Sequence, residues 1–235
     1  MGQRLISFTG AQSSGKTTLL KKLQEEDKEK NFYFINEVTR ALDTKVVKIN
    51  NNAEDYNLTQ SLIINSHIDN FFIQSSYVMG SDIIMDRCIV DGYIYTYHLY
   101  NEGKVSHHIV KFAEYWFRQL ISRYDYIFYT DPRDVELEDD GIRSTDIKFR
   151  EEIIRLYDKY LLGFYYPNVI VLSGSVEERL ETIHYNLKPK IKCKLCQQPT
   201  IYEEGTTIKL NQRKYYIENS GQYCEKCYTN VKNIL

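Results

Sequence analysis

No run of this chain approaches the about 18 apolar residues that a membrane span requires. Its amino terminus moves straight into a strand-like segment, without the charged and apolar regions of a secretion signal. Those two absences give the expectation of a soluble, cytoplasmic protein without a membrane partner. Internal repeats and low-complexity tracts are also missing, so neither a solenoid nor a linker-dominated chain is indicated. Little net charge is present: −2 for the whole chain, which argues against a large phosphate-backbone footprint. Cysteine is nearly absent from the first 187 residues, where Cys88 stands alone and reads as a small buried apolar residue.

What is there begins with 235 residues, 43% of them apolar, enough for one substantial core and a small appendage. The charge is unevenly spread. Residues 188–235 hold nine Lys/Arg against four Asp/Glu, a balance of +5, and residues 1–187 carry −7. The composition breaks at Leu187-Lys188-Pro189, giving an expected domain of residues 1–187 and a smaller module of residues 188–235.

The stretch SFTGAQSSGKTTLLKKL places Gly10 four residues ahead of Gly15-Lys16-Thr17, the spacing G-x-x-x-x-G-K-[ST] of a phosphate-binding P-loop. An apolar strand-like run precedes it and a helical pattern follows, the context this mechanism needs. Glycines permit the turn and the close approach of backbone to phosphate, and the amides of the bend cradle the anion. The nucleotide-binding set is therefore Gly10, Ala11, Gln12, Ser13, Ser14, Gly15, Lys16, Thr17 and Thr18. Lys16 would reach the terminal phosphates and Thr17 would ligate Mg²⁺.

Five apolar runs read as buried strands: LISFT, NFYFINE, DIIMD, YDYIFYT and NVIVLSG. Helical patterns fall between them, at 15–26, 57–79, about 90–101, about 106–123 and 146–162. A last helix follows Ser175, which stands at capping-box distance from Glu178. Such alternation implies an α/β fold with a parallel sheet, and ligands then gather at the carboxyl ends of the strands. Those ends carry the P-loop, then Glu37 and Arg40, then Asp86 and Arg87. The fourth strand is followed by a polar loop holding Asp131, Asp140, Arg143 and Arg150. Phosphoryl transfer needs this assortment: cations around the transferred group, a carboxylate for Mg²⁺, and a carboxylate beside the acceptor hydroxyl. Tyr93, Tyr95, Tyr97 and Trp116 supply a possible stacking wall for a base, with a core role as the alternative for each.

The segments GAQSSGKTTL, NEVTRAL, DRCIVDGYIYTY and DDGIRSTDIKFREEIIRLYDKYL together resemble P-loop small-molecule kinases of the NadR-type ribosylnicotinamide kinase group, and more broadly nucleoside and thymidylate kinases. The resemblance spans roughly residues 4–185. It implies a three-layer P-loop NTPase-type fold with five parallel strands, ATP on the P-loop, and phosphorylation of a hydroxyl or phosphate of a nucleoside, nucleotide or related small molecule. By position it assigns Glu37 and Arg40 to the acceptor side, Asp86 and Arg87 to metal and phosphate, and Arg143 to a lid; Glu37, Arg40, Arg87 and the aromatic Tyr93 make up the expected acceptor-binding set. Lys16, Glu37, Asp86, Arg87 and Arg143 form the catalytic set, with Glu37 and Asp86 both open as the general base. ATP and GTP also stay open as donors. The other readings are a nucleic-acid-directed kinase and a non-catalytic nucleotide-dependent switch.

Beyond the composition break, CKLC and YCEKC are two C-x₂-C pairs with 27 residues between them. Such pairs converge on Zn²⁺ as Cys193, Cys196, Cys224 and Cys227, with four thiolates leaving no open position for substrate. The metal's expected role is structural. For this β-rich module, docking, a homodimer contact and nucleic-acid binding all fit its basic, tyrosine-containing composition.

Overall fold

The five apolar runs form β1 (Leu5–Thr9), β2 (Phe32–Ile35), β3 (Asp82–Asp86), β4 (Tyr126–Thr130) and β5 (Val169–Leu172). They make one sheet in the order β2-β3-β1-β4-β5, and every neighbouring pair is parallel. The computed structural model describes residues 3–28, 31–39, 55–74, 76, 81–135, 147–188, 190–196, 199–204, 208–218 and 220–232. Arg40, Asp140 and Arg143 lie outside the described residues, so their expected roles have no structural counterpart here.

Register brings the functional edge together. Phe8 pairs with Asp86, Thr9 with Tyr129, Ile35 with Met85 and Thr130 with Leu172, so all five strands finish at nearly one level. The connection from β3 to β4 passes over β1. The loop after β1 therefore lies between the loops of both halves, at the switch point where parallel sheets hold ligands. At the opposite edge, Arg4 closes the start of the sheet, its backbone N–H and its guanidinium both donating to Asp82 at 2.9 and 2.8 Å.

Period-2 alternation divides the strands between two buried faces. Ile83, Met85, Ile127 and Tyr129 enter one large core with residues of four helices: α2 (Tyr56–Asp69), α3 (Ile89–Asn101), α4 (His107–Leu120) and α5 (Ile147–Tyr157). Ile6, Phe8, Ile84 and Phe128 are fully buried on the other face, where α1 (Lys16–Glu26) contributes Leu19 and Leu23. Two helices end in a single wider, π-helical turn, Asn70–Gln74 after α2 and Asp158–Leu162 after α5. Periodicity alone extends the helical patterns through both turns without marking the change.

At α6 (Val176–Leu187) the expected capping box is formed. The Ser175 N–H donates to Glu178 Oε2 at 2.7 Å, and the Glu178 N–H to Ser175 Oγ at 3.2 Å. The chain divides into two compact units, Met1–Leu180 and Glu181–Leu235. In the second, β6 (Lys190–Lys192) pairs antiparallel with β7 (Pro199–Glu203), and β8 (Tyr216–Ile217) with β9 (Gly221–Gln222). A short helix, α7 (Glu225–Lys232), follows. Among the described residues its buried cluster is Cys193, Tyr223 and Cys227, with Tyr215, Ile217, Cys224, Tyr228 and Val231 packed against it, a core too small to fold such a unit by burial alone. Among the described residues no helix is long and apolar enough to cross a membrane.

Candidate functional site

The bend after β1 is built from left-handed backbone. Gly10 has φ 146°, Ser13 51° and Gly15 85°, and Gly15 caps α1. Gly10 is required sterically as well. A Cβ there would stand 2.6 Å from Thr130 Oγ1 and 2.7 Å from Thr130 O, because the end of β4 presses against it. The same Thr130 hydroxyl donates to Thr9 O at 3.0 Å and shares a 2.7 Å hydrogen bond with Ser14 Oγ. One residue of β4 therefore fixes both ends of the bend.

Lys16 folds back into this loop. Its ammonium donates to Gly10 O and Ala11 O at 2.8 Å each and to Ser14 Oγ at 3.0 Å. Burial, reinforced by the Arg87 charge and opposed by Asp91, Asp86 and Glu37, brings its pKa down to about 7. Thr17 is half-buried and Thr18 exposed at the start of α1.

Beside the loop, β3 ends in Asp86 and Arg87. Burial raises the Asp86 carboxyl, partly offset by the Arg87 guanidinium. Arg87 adopts φ 73°, a conformation that costs a non-glycine residue energy and is held by its surroundings. Its N–H donates to Phe8 O at 2.9 Å. Its side chain is 8% exposed; Nε donates to Glu37 Oε1 at 2.5 Å and Nη1 to Asp91 Oδ1 at 2.8 Å. Burial opposes the charge, and the two carboxylates overcome it, holding Arg87 well above its ordinary pKa. Glu37 and Arg87, joined in sequence reasoning only through a shared cleft, are a direct buried ion pair.

Asp91 is the residue that reasoning missed. At 3% exposure it accepts four hydrogen bonds: from Arg87, from Tyr157 Oη at 2.9 Å, from Thr9 Oγ1 at 2.7 Å and from its own cap residue's Cys88 N–H at 3.1 Å. One carboxylate thereby links the end of β1, the start of α3 and the end of α5. Its signal in the sequence was faint: an acid four residues after Arg87 on a nascent helix. His67 of α2 also packs here, its Cδ2 only 3.2 Å from where a Gly92 Cβ would lie. Burial pushes its pKa down to about 4, so the imidazole is neutral.

The four aromatic candidates do not form one wall. Tyr93, expected on the acceptor side, is 3% exposed; it stacks on Phe117 at 4.9 Å and takes edge contacts from Tyr97 and Tyr160. Helical geometry explains this, since positions 93 and 97 share the α3 face that meets α4. Tyr95 points elsewhere, under the Arg87 guanidinium at 5.5 Å. Trp116 packs on Phe72 and Tyr115. His107 and His108 are exposed, and the His107 ring lies 5.8 Å from that of Tyr100.

On the other flank, Arg150 donates to Pro132 O and Val135 O at 2.6 and 2.7 Å. Arg179, 2% exposed in the first turn of α6, reaches Ser14 O in the P-loop at 2.9 Å.

In the second unit the Sγ atoms of Cys193, Cys196, Cys224 and Cys227 all lie within 4.8 Å of one another. The Cys196–Cys224 separation is 3.7 Å. A tetrahedral zinc site with about 2.3 Å bonds has sulfur–sulfur edges of about 3.8 Å, so the cluster fits that ion. Burial disfavours a thiolate at Cys193, but backbone N–H groups of Cys196, Cys224 and Leu195 outweigh it and bring the thiol down to about 6.

Two expectations follow from this geometry. Between pH 7 and about 10.5 the unfolded chain holds a proton at Lys16 that the folded chain has released, so folding is favoured as pH rises through that window. Urea midpoints at pH 7 and pH 9 should shift in favour of the wild type relative to Lys16→Met; parallel shifts would contradict the assignment. Asp91→Asn removes half of the charge facing Arg87 and should cost roughly 3–5 kcal/mol in urea unfolding.

Comparison with known proteins finds the same fold. A NadR protein solved in complex with NR superposes with a TM-score of 0.55 at 19% identity, over 77% of this chain and 51% of that one. The present chain thus spans about half the length of that NadR chain. Deoxyadenosine kinase from M. mycoides, solved with products dCMP and a flexible dCDP, matches at 0.56 and 14% identity, over 78% and 98%. The same enzyme with bound dATP matches at 0.52 and 15%, over 77% and 98%. No curated protein matches the sequence significantly. At these identities the likeness is one of fold, the P-loop kinase-like fold with its five-stranded parallel sheet. The model of the AAA_28 family, described as an AAA domain, matches residues 5–179, and the chain belongs to that family.

Proposed function

We propose that this chain is a P-loop phosphotransferase that moves the terminal phosphoryl group of ATP to a hydroxyl of a nucleoside, nucleotide or related small molecule. The observation that carries the reading is the Glu37–Arg87 pair, buried at the carboxyl edge of the sheet beside a glycine-bounded bend that holds Lys16. A carboxylate and a guanidinium fixed against each other next to a phosphate cradle serve transfer, where a switch needs only the cradle. The fold-level likeness to kinases solved with NR, dCMP, dCDP or dATP supports a nucleoside-like acceptor.

In this reading the bend's amides and Lys16 bind the donor phosphates, and Lys16 exchanges its contacts with Gly10 O and Ala11 O for phosphate oxygens. Thr17 and Asp86 would hold Mg²⁺, which would supply charge neutralisation at the donor phosphates. Glu37 orients the acceptor hydroxyl and takes its proton, while Arg87 keeps the carboxylate in place. The four cysteines hold Zn²⁺ as a structural ion, supplying the stability that their small core lacks.

Labelled ATP offered with nucleosides, nucleotides and short DNA or RNA strands should label a small molecule; label on strands, or none, would reject this reading. Glu37→Gln should lower turnover by about 10²- to 10⁴-fold while nucleotide binding survives. Metal analysis of freshly purified reduced protein should find about one zinc per chain. Cys196→Ser should lower that content, and a metal-free wild type would dismiss the ion.

A further inference from the structure

Arg179 was not marked by any sequence motif, yet it is among the largest fully buried side chains of the molecule. Arginine cannot shed its proton, so a buried guanidinium has to find acceptors for its N–H groups. It finds them on three separate loops. Nε donates to Gly174 O after β5 at 3.0 Å, Nη1 to Ser14 O in the P-loop at 2.9 Å, and Nη2 to Asp131 O after β4 at 2.9 Å. A longer contact of 3.5 Å runs from Nη2 to Asp134 Oδ2, and the same carboxylate oxygen accepts the Gly174 N–H at 2.7 Å. Each of its three nitrogens is thus committed to a backbone carbonyl, which makes Arg179 a tie between loops.

The contact with Ser14 has a geometric effect. No peptide bond among the described residues is cis, and in a planar trans peptide the carbonyl and the following N–H point in opposite directions. Holding the Ser14 carbonyl toward Arg179 therefore turns the Gly15 N–H away from it. Arg150 acts in the same sense from α5, drawing in Pro132 O and Val135 O of the loop after β4 and standing 3.5 Å from Ser13 O. Thr130 secures the Ser14 side chain.

We infer that Arg179 is a positioning residue for the donor nucleotide: it locks the Ser14–Gly15 peptide in its anion-binding orientation and ties the P-loop to the loops after β4 and β5. The inference rests on the donor-binding half of the proposed function. It separates Arg179 from Glu37 and Arg87, whose loss would act on the acceptor and on transfer.

The test measures the Kd for Mg·ATP, donor and acceptor KM values, and melting temperature for the wild type, Arg179→Met and Asp134→Ala. Arg179→Met should weaken Mg·ATP binding at least tenfold and raise the donor KM in step, with the acceptor KM unchanged. Asp134→Ala removes a 40% exposed side chain that braces the same junction, and should give a smaller increase, about threefold, without loss of fold. A lower melting temperature with unchanged Mg·ATP affinity would make Arg179 a structural strut only and overturn the inference. If Arg179→Met does not fold, Asp134→Ala decides alone: wild-type affinity overturns the inference, weakened affinity upholds it. A wild type that binds no Mg·ATP would instead bring down the proposed function itself.

Discussion

Arg87 stays ionised at any ordinary pH, and here it is placed where water hardly reaches it. Its neutralisation organises one flank of the edge. Glu37 comes from the segment after β2 and Asp91 from the first turn of α3, and both must reach the guanidinium at once. Asp91 then passes the constraint on to Thr9 at the tip of β1 and to Tyr157 at the end of α5. The left-handed backbone at Arg87 is the local strain that accompanies this arrangement, sustained by contacts on every side.

The second flank is made by a different device. Where the Arg87 flank joins side chain to side chain, the P-loop flank ties side chains to backbone carbonyls: Lys16, Thr130, Arg150 and Arg179 all bond main-chain oxygens. Carbonyls fixed in this way set the directions of the amides beyond them. In the proposed function Arg150 and Arg179 thus organise a cradle for an anion without touching it. Thr9, Gly10 and Thr130 lie where the two devices meet, at the ends of the central strands.

Much of this was legible in the sequence because its causes are local. Short apolar runs fix strands, and β1 and β3 match their runs residue for residue; the P-loop spacing fixes the bend; two C-x₂-C pairs fix the cysteine cluster. Asp86, Arg87 and Glu37 were found by asking what stands at strand ends. What stayed hidden depends on long-range contact. Arg179 lies 165 positions from Ser14, and nothing near it in the chain announces a buried cation. Asp91 looked like an ordinary helix-start acid until Tyr157 and Thr9 closed on it. Tyr93 is the opposite case: aromatic residues on a helix look alike in sequence, and only the packing of α3 on α4 separates core rings from the Tyr95 ring beneath Arg87. The π-helical turns after α2 and α5 escaped too, because apolar periodicity continues through them.

The strand order carries a consequence for biosynthesis. β1 is made first, yet both of its neighbours come much later: β3 begins at Asp82 and β4 at Tyr126. While the ribosome is still adding them, Ile6 and Phe8 have no sheet to enter, and no hairpin partner can shelter them, since parallel pairing requires a crossover. Such non-local pairing slows folding and leaves apolar edges open to other chains. The segment that becomes the centre of the finished sheet must therefore wait for both of its neighbours before its apolar residues are covered.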